Sequence, residues 1–128
     1  AFRLIKNGAK LIGLQKNRYW ETLGGLSMDV GPFVAALEYA TETEAIIIGK
    51  PNRAYFQMAL EDLNMPPSKV AMVGDDIYTD ILGGDSVGTH TILVRTGKSQ
   101  YDDLSKAEVK PDRTIKSIAE LPEILTTR

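Results

Sequence analysis

The 128-residue sequence contains no cysteine, which excludes disulfides, cysteine-based zinc sites and thiol nucleophiles. His90 is its single histidine and precedes a predicted strand, so we interpret it as structural and expect no histidine-based triad. Aromatic residues make up only 7%, and the net charge is -2 with basic residues scattered along the chain. We therefore expect neither a nucleic-acid surface nor a polybasic membrane surface.

Long apolar runs are also lacking. The longest, Ala45–Ile48 and Val70–Val73, are far too short to span a bilayer, and the charged start lacks the apolar core of a signal peptide. We expect a cytoplasmic protein. The first residue is not Met, and Phe2, Leu4 and Ile5 are typical of a helix already under way, so we expect a chain that begins within a larger fold.

Short apolar runs alternate with helical patterns along the chain. Strands are predicted at Lys10–Leu14, Ala45–Ile48, Val70–Val73, Thr91–Val94 and, at a sheet edge, Arg113–Ile115. Helices are predicted at Gly31–Thr41, after the N-cap Asn52, at Asp76–Val87 and around Pro122, with loops at Asn17–Asp29 and 97–112. This order predicts an α/β fold, a Rossmann-like parallel sheet with helices on both faces.

Ligands of such sheets bind beyond the carboxyl ends of the strands. Two predicted strands end in Gly49-Lys50-Pro51 and in Gly74-Asp75-Asp76, and Asp80 follows Asp76 by one helical turn. Three clustered carboxylates repel one another unless a cation compensates, and all-oxygen ligation favours Mg²⁺. The plainer alternative is an acidic turn that only caps a helix.

Lys50 has Gly49 and Pro51 on either side, which fix the backbone, so its ammonium group is suited to bind a phosphoryl group. A solvated lysine is the usual fate of such a residue. The acidic strand end nearby favours the functional interpretation.

Ile48-Gly49-Lys50-Pro51 followed by Val73–Ile81 resembles the third and fourth motifs of the haloacid dehalogenase superfamily. Thr91–Lys98 and the run from Asp29 to Ala40 are similar to its p-nitrophenylphosphatase-like and phospholysine phosphohistidine inorganic pyrophosphate phosphatase-like branch. The resemblance implies a phosphatase that acts on a small phosphorylated substrate through an aspartyl-phosphate. It assigns residues 1–46 to the end of an α/β cap domain and 47–128 to the C-terminal part of the hydrolase core.

The resemblance also implies the site roles. Lys50 would contact the phosphoryl group and the nucleophile, Asp75 would ligate Mg²⁺, Asp76 would lie in or near the metal shell, and Asp80 would orient the site. The family nucleophile lies in an Asp-x-Asp motif, and this sequence contains none. We expect that motif, and the hydroxyl that holds the phosphate, upstream of Ala1, and the chain alone to be inactive.

Several residues have weaker signals. Arg18, Tyr19 and Trp20 would either touch a leaving group or belong to ordinary cap packing. Asp102 and Asp103 are predicted to be solvated, and Gly83-Gly84 to permit close helix packing.

Two other functions stay open at this point. A receiver-like phosphoacceptor domain shares the acidic pair and the lysine, but its chain order differs. A non-catalytic binding or assembly domain would expose sheet edges and apolar surface, and we would expect it to form a homodimer.

Overall fold

The computed structural model describes residues 1–126 and confirms an α/β fold. The helices are α1 (Phe2–Lys6), α2 (Gly31–Thr41), α3 (Arg53–Leu63), α4 (Leu82–Val87) and α5 (Leu121–Thr126). The strands are β1 (Ile12–Gly13), β2 (Tyr19–Thr22), β3 (Gly25–Met28), β4 (Ile46–Ile47), β5 (Ala71–Gly74), β6 (His90–Val94) and β7 (Arg113–Ile115). No helix within residues 1–126 has both the length and the apolar character needed to cross a membrane.

The central sheet has the order β5-β6-β7, and all of its strands are parallel. Leu93 on β6 is fully buried on one face against Ile77 and Ile81. On the opposite face Ile92 and Val94 pack with other apolar side chains, including two from the last helical segment, Leu121 and Ile124. Because both faces are covered, the four residues from Thr91 to Val94 are all buried, as is typical of a strand inside a parallel sheet.

A second parallel pair joins β1 to β4, with Ile12 opposite Ile46 and Gly13 opposite Ile47. The strand predicted at Ala45–Ile48 is therefore shorter than expected. Its continuous apolar run predicts burial on both faces, but Ile46 and Ile48 are 49% and 50% exposed. Among the described residues β4 pairs only with β1. The predicted division between residues 46 and 47 falls inside β4 and stays a prediction; residues 127 and 128 of the predicted core lie outside the described part.

The predicted loop Asn17–Asp29 is wrong, because this segment is a β-hairpin. Strands β2 and β3 pair antiparallel, with Thr22 opposite Gly25 and Tyr19 opposite Met28. Gly25 has a φ of 107°, a left-handed conformation that favours glycine. A glycine pair flanked by residues such as Tyr19 and Thr22 is a hairpin signal that the mixed polarity of the segment obscured.

Helix α3 begins as predicted, with the Asn52 side chain accepting a hydrogen bond from the Ala54 N–H at 2.9 Å. Among its apolar residues, Phe56 is 6% exposed but Leu63 is 55% exposed. Phe56 packs against Gly83 so closely that a Cβ at Gly83 would lie 2.0 Å from the ring. The close helix packing predicted for Gly83-Gly84 is therefore confirmed.

The segment predicted as one helix at Asp76–Val87 has two parts. A π-helical turn covers Ile77–Ile81, and α4 follows it directly. The Asp76 carbonyl accepts hydrogen bonds from the Asp80 N–H at 2.9 Å and the Ile81 N–H at 3.2 Å, which widens this turn. Turns of this kind are frequent at functional sites, and this one lies at the acidic end of β5.

Candidate active site

Lys50 and Asp80, which are 30 positions apart in sequence, form an ion pair at the carboxyl ends of β4 and β5. The Lys50 Nζ donates a hydrogen bond to Asp80 Oδ1 at 2.7 Å; the Asp80 side chain is 5% exposed and that of Lys50 41%. Partial burial alone would lower the pKa of Lys50, but the hydrogen bond and charge of Asp80 raise it above its ordinary value. Lys50 is therefore a fixed cation at neutral pH.

The Asp80 carboxylate reaches this position because two neighbours permit it. Its Oδ2 accepts a hydrogen bond from the Asp76 N–H at 3.2 Å, one turn back along the π-helical segment. Gly74 lies against it, and a Cβ at that position would be 2.2 Å from Asp80 Oδ2. Gly74 is therefore needed for this close approach.

Asp75 is held by the loop that follows β6. Its Oδ2 accepts a hydrogen bond from the Lys98 N–H at 2.8 Å, and its carbonyl accepts one from the Ser99 N–H at 2.9 Å. A Cβ at Gly97 would lie 1.8 Å from Asp75 Oδ2, so only glycine fits there. Both hydrogen bonds to Asp75 thus come from the segment 97–112, which is predicted only as a loop.

Asp76 has different partners from its neighbour. Its Oδ1 accepts a hydrogen bond from the Tyr78 N–H at 3.0 Å, and its Oδ2 forms an ion pair with the Lys98 Nζ. Both side chains are largely buried, at 5% and 15% exposure for Asp76 and Lys98. Asp76 is therefore both the N-cap of the π-helical turn and the partner of a lysine.

Gly97 and Lys98 are site residues that sequence reasoning missed. They follow β6, so the rule that singles out the carboxyl ends of parallel strands applies to them as it does to Gly49-Lys50 and Gly74-Asp75. The end of β6 is therefore the sequence signal that identifies Gly97 and Lys98.

The carboxylate cluster is compensated by lysines to an extent that the sequence did not suggest. Lys50 balances Asp80 and Lys98 balances Asp76, whereas the Asp75 carboxylate has no ion pair within residues 1–126. No group of three or more His, Cys, Asp or Glu side chains in that range is arranged to hold a metal ion. The uncompensated charge of Asp75, with Oδ1 making no hydrogen bond to a described residue, fits a single carboxylate ligand for a hydrated Mg²⁺.

A cleft of about 420 Å³ opens beside Lys50 and Lys98, a size suited to a small ligand. It is lined by Lys16, Asn17, Arg18, Lys50, Pro51, Tyr78, Thr79 and Lys98. Four of these side chains are basic, so the cleft favours an anion. The structure thus brings Lys50 and Arg18, two of the sequence-predicted site residues, to one cavity.

The β2–β3 hairpin is joined to the loop after β6 by two tyrosines. The Tyr19 hydroxyl donates to Asp102 Oδ1 at 2.5 Å, and the Tyr101 hydroxyl donates to Glu21 Oε1 at 2.7 Å. Burial, together with the hydrogen bond and charge of Asp102, raises the pKa of Tyr19 to about 12. The prediction that Asp102 is solvated is wrong: its side chain is 4% exposed, because the hairpin covers it.

The remaining candidates lie outside the cleft. Trp20 is 53% exposed and lines a separate shallow groove on the hairpin. Asp103 is on the surface and bonds to Ser105 and Lys106, as expected for a solvated residue. The His90 ring lies 3.2 Å from the Ser68 carbonyl, which agrees with the structural role predicted for it.

Comparison with known proteins points to one family. The HAD-hydrolase-like family model matches residues 47–121, more than half of the chain. Haloacid dehalogenase-like hydrolase domain-containing protein 2 of Rattus norvegicus is 44% identical over 91% of this chain and 45% of its own length. Phospholysine phosphohistidine inorganic pyrophosphate phosphatase of Xenopus laevis is 41% identical over 98% of this chain and 47% of its own length.

Solved structures agree with the sequence matches. The 4-nitrophenylphosphatase of Thermotoga maritima superposes with a TM-score of 0.84 at 34% identity, covering 95% of this chain and 47% of that one. The p-nitrophenyl phosphatase of Archaeoglobus fulgidus gives a TM-score of 0.82 at 27% identity, covering 96% and 49%. The chain spans about half the length of the relatives it matches, and it belongs to the haloacid dehalogenase-like hydrolase family, as its motifs predict.

Proposed function

We propose that this chain forms the lysine and metal-binding side of a Mg²⁺-dependent phosphatase site that acts on small phosphorylated compounds. The observation that carries the proposal is the Lys50–Asp80 pair, whose lysine lines a basic cleft, together with the uncompensated Asp75 directly after β5. The names of its relatives, which include 4-nitrophenylphosphatase and phospholysine phosphohistidine inorganic pyrophosphate phosphatase, support this class of substrate.

Each residue has a distinct part in this proposal. Lys50 binds the phosphoryl oxygens, and Asp80 holds its ammonium group in place from a buried position. Asp75 is the residue that would hold Mg²⁺, and Asp76, which is bound to Lys98, acts beside the metal. When bound, Mg²⁺ supplies positive charge to the oxygens of the phosphoryl group.

Charge balance gives a physical reason for the metal. Because Lys50 and Lys98 are each paired to a carboxylate, Asp75 adds an uncompensated negative charge beside the basic cleft, and that charge opposes a phosphate dianion. A divalent cation at Asp75 reverses that balance. Phosphate binding is therefore expected to depend on Mg²⁺, although Lys50 is cationic without it.

The covalent step of the family mechanism forms an aspartyl-phosphate on an Asp-x-Asp motif, which the 128 residues do not contain. We therefore propose that these residues bind phosphate but do not turn over a phosphate ester by themselves. Phosphate release by the purified chain that disappears with Asp75→Ala would contradict this part of the proposal.

The test is a calorimetric titration of the chain with inorganic phosphate, with and without Mg²⁺. Mg²⁺ should tighten binding. Asp75→Asn should remove this effect, while its metal-independent binding should be at least as strong as that of the unmodified chain, because the variant loses a charge that opposes phosphate. Asp85→Asn, on the exposed side of α4, is the matched control and should behave as the unmodified chain. Equal Mg²⁺ dependence in Asp75→Asn and the unmodified chain would refute the metal assignment.

A second candidate function, a binding or assembly domain that forms a homodimer, has its own supporting observation. Apolar side chains are widely exposed, among them Leu14 at 75%, Tyr39 at 90% and Met58 at 70%. Light scattering tests it, and a monomer at all concentrations with a cooperative melt would count against it. Family membership leaves the receiver-like alternative without support, and the cytoplasmic location stays a prediction.

A further inference from the structure

Arg18 differs from the other three basic residues of the cleft. Lys16, Lys50 and Lys98 are each bonded to a carboxylate, from Glu38, Asp80 and Asp76 respectively. The Arg18 guanidinium makes no hydrogen bond to any residue in the described range, and its ion pair with Asp102 Oδ1 is long, at 3.8 Å. Its five donors are therefore available to a ligand, and its side chain is 69% exposed.

The guanidinium is nevertheless held in place by its surroundings. Its Cζ lies 5.2 Å from the centre of the Tyr78 ring and 5.7 Å from that of Tyr19, within the range of cation–π attraction. Tyr19 is fixed by its hydrogen bond to the buried Asp102, and Tyr78 belongs to the π-helical turn beside the acidic strand end. These contacts orient Arg18 without using its N–H groups.

We propose that Arg18 determines substrate specificity by binding a second anionic group, a carboxylate or a phosphate, on the leaving-group side of the substrate. The inference rests on the proposed function, because it assumes that the transferred phosphoryl group lies at Lys50. A guanidinium with free donors binds such groups through two parallel hydrogen bonds, which a lysine cannot reproduce. The preferred substrate is therefore a small phosphoryl compound with two anionic groups, and phosphate esters with neutral leaving groups bind less well.

The test compares three stable phosphonates by calorimetry in the presence of Mg²⁺. Methylphosphonate has one anionic group, phosphonoacetate adds a carboxylate, and methylenediphosphonate adds a second phosphonate. The unmodified chain should bind the better of the two larger anions about 10-fold or more tightly than methylphosphonate, the size of one charge-assisted bidentate contact. Whichever larger anion binds more tightly identifies the second group.

Arg18→Gln should reduce that preference to about 2-fold or less while changing methylphosphonate affinity little, because it removes one contact only. Arg18→Lys, which keeps the charge but not the fork, should give an intermediate preference and serves if the glutamine variant is unstable. Arg3→Gln is the matched control, since Arg3 is exposed in α1 and does not line the cleft. It should retain the full preference.

The failures are distinguishable. If methylphosphonate binds and the larger anions bind no better, or if Arg18→Gln weakens all three equally, the specificity role is overturned while the phosphoryl site stands. If none of the phosphonates binds, the proposed function fails, and the inference falls with it.

Discussion

Removing the Lys50 ammonium group should destabilise the fold through Asp80. Unit charges at the observed 2.7 Å attract by about 6 kcal/mol at an effective dielectric constant of about 20, and by about 1.5 kcal/mol in water. Lys50 is 41% exposed, so solvent screens the pair, and the dehydration of Asp80 offsets much of the remaining attraction. We expect a net coupling between the two side chains of about 1–2 kcal/mol.

A double-mutant cycle measures this coupling by urea unfolding. Lys50→Met should cost about 2–3 kcal/mol, because it leaves Asp80 Oδ1 buried without its partner. Asp80→Asn should cost about 1–2 kcal/mol, and the double variant about 1–2 kcal/mol less than the sum of the two. Lys10→Met, at an exposed position, is the control and should change stability by no more than about 0.5 kcal/mol.

The pH dependence gives an independent check of the same pair. Because the pKa of Lys50 is raised in the folded state, the contribution of Lys50 to folding stability is complete below the ordinary lysine pKa. That contribution is lost as pH rises through the raised pKa. In the double-mutant cycle, the coupling would be refuted if the loss of stability in the double variant equals the sum of the two single losses within about 0.3–0.5 kcal/mol.

Two further predictions concern the frame around the site. Gly83→Ala should lower the free energy of unfolding in urea by about 1–3 kcal/mol, because its Cβ would lie 2.0 Å from the buried Phe56 ring. Gly24→Ala is the control and should be nearly neutral, since the nearest atom there is 3.8 Å away. Equal effects of the two substitutions would contradict this packing. Hydrogen bonds from the Thr91 N–H and hydroxyl hold the pKa of Asp112 below its usual value. The contribution of Asp112 to folding stability is therefore present above the ordinary carboxyl pKa and is lost as pH falls through the lowered pKa of the folded state. In thermal melts from pH 7 to pH 2, the melting temperature should therefore fall less with pH in Asp112→Asn than in the unmodified chain. An identical dependence of melting temperature on pH in the two proteins would exclude this role.

The central sheet was predictable because its residues follow simple patterns. The apolar run around Leu93 is buried on both faces, and Arg113–Ile115 forms the expected edge strand. The extent of β4 was not predictable, since the exposure of Ile46 and Ile48 depends on which strands lie beside them. Local sequence does not contain that information.

The site residues at the strand ends could be predicted from the sequence, but the contacts between distant segments could not. Lys50, Asp75 and Asp80 were identified because each follows an apolar strand or lies one turn beyond it. The Tyr19–Asp102 bond joins residues 83 positions apart, and no local pattern indicates such a pairing. Asp102 therefore looked like a solvated loop residue, although the hairpin buries it.

The central claim is that Lys50 provides the phosphoryl contact of the cleft. Its most direct test is the affinity of the chain for inorganic phosphate with Mg²⁺ present, measured by calorimetry for the unmodified chain, Lys50→Met and Lys10→Met. Lys50→Met should weaken binding by about 10-fold or more, the size of one charge-assisted hydrogen bond, and Lys10→Met should not change it. Equal affinities for the folded Lys50→Met variant and the unmodified chain would contradict the claim.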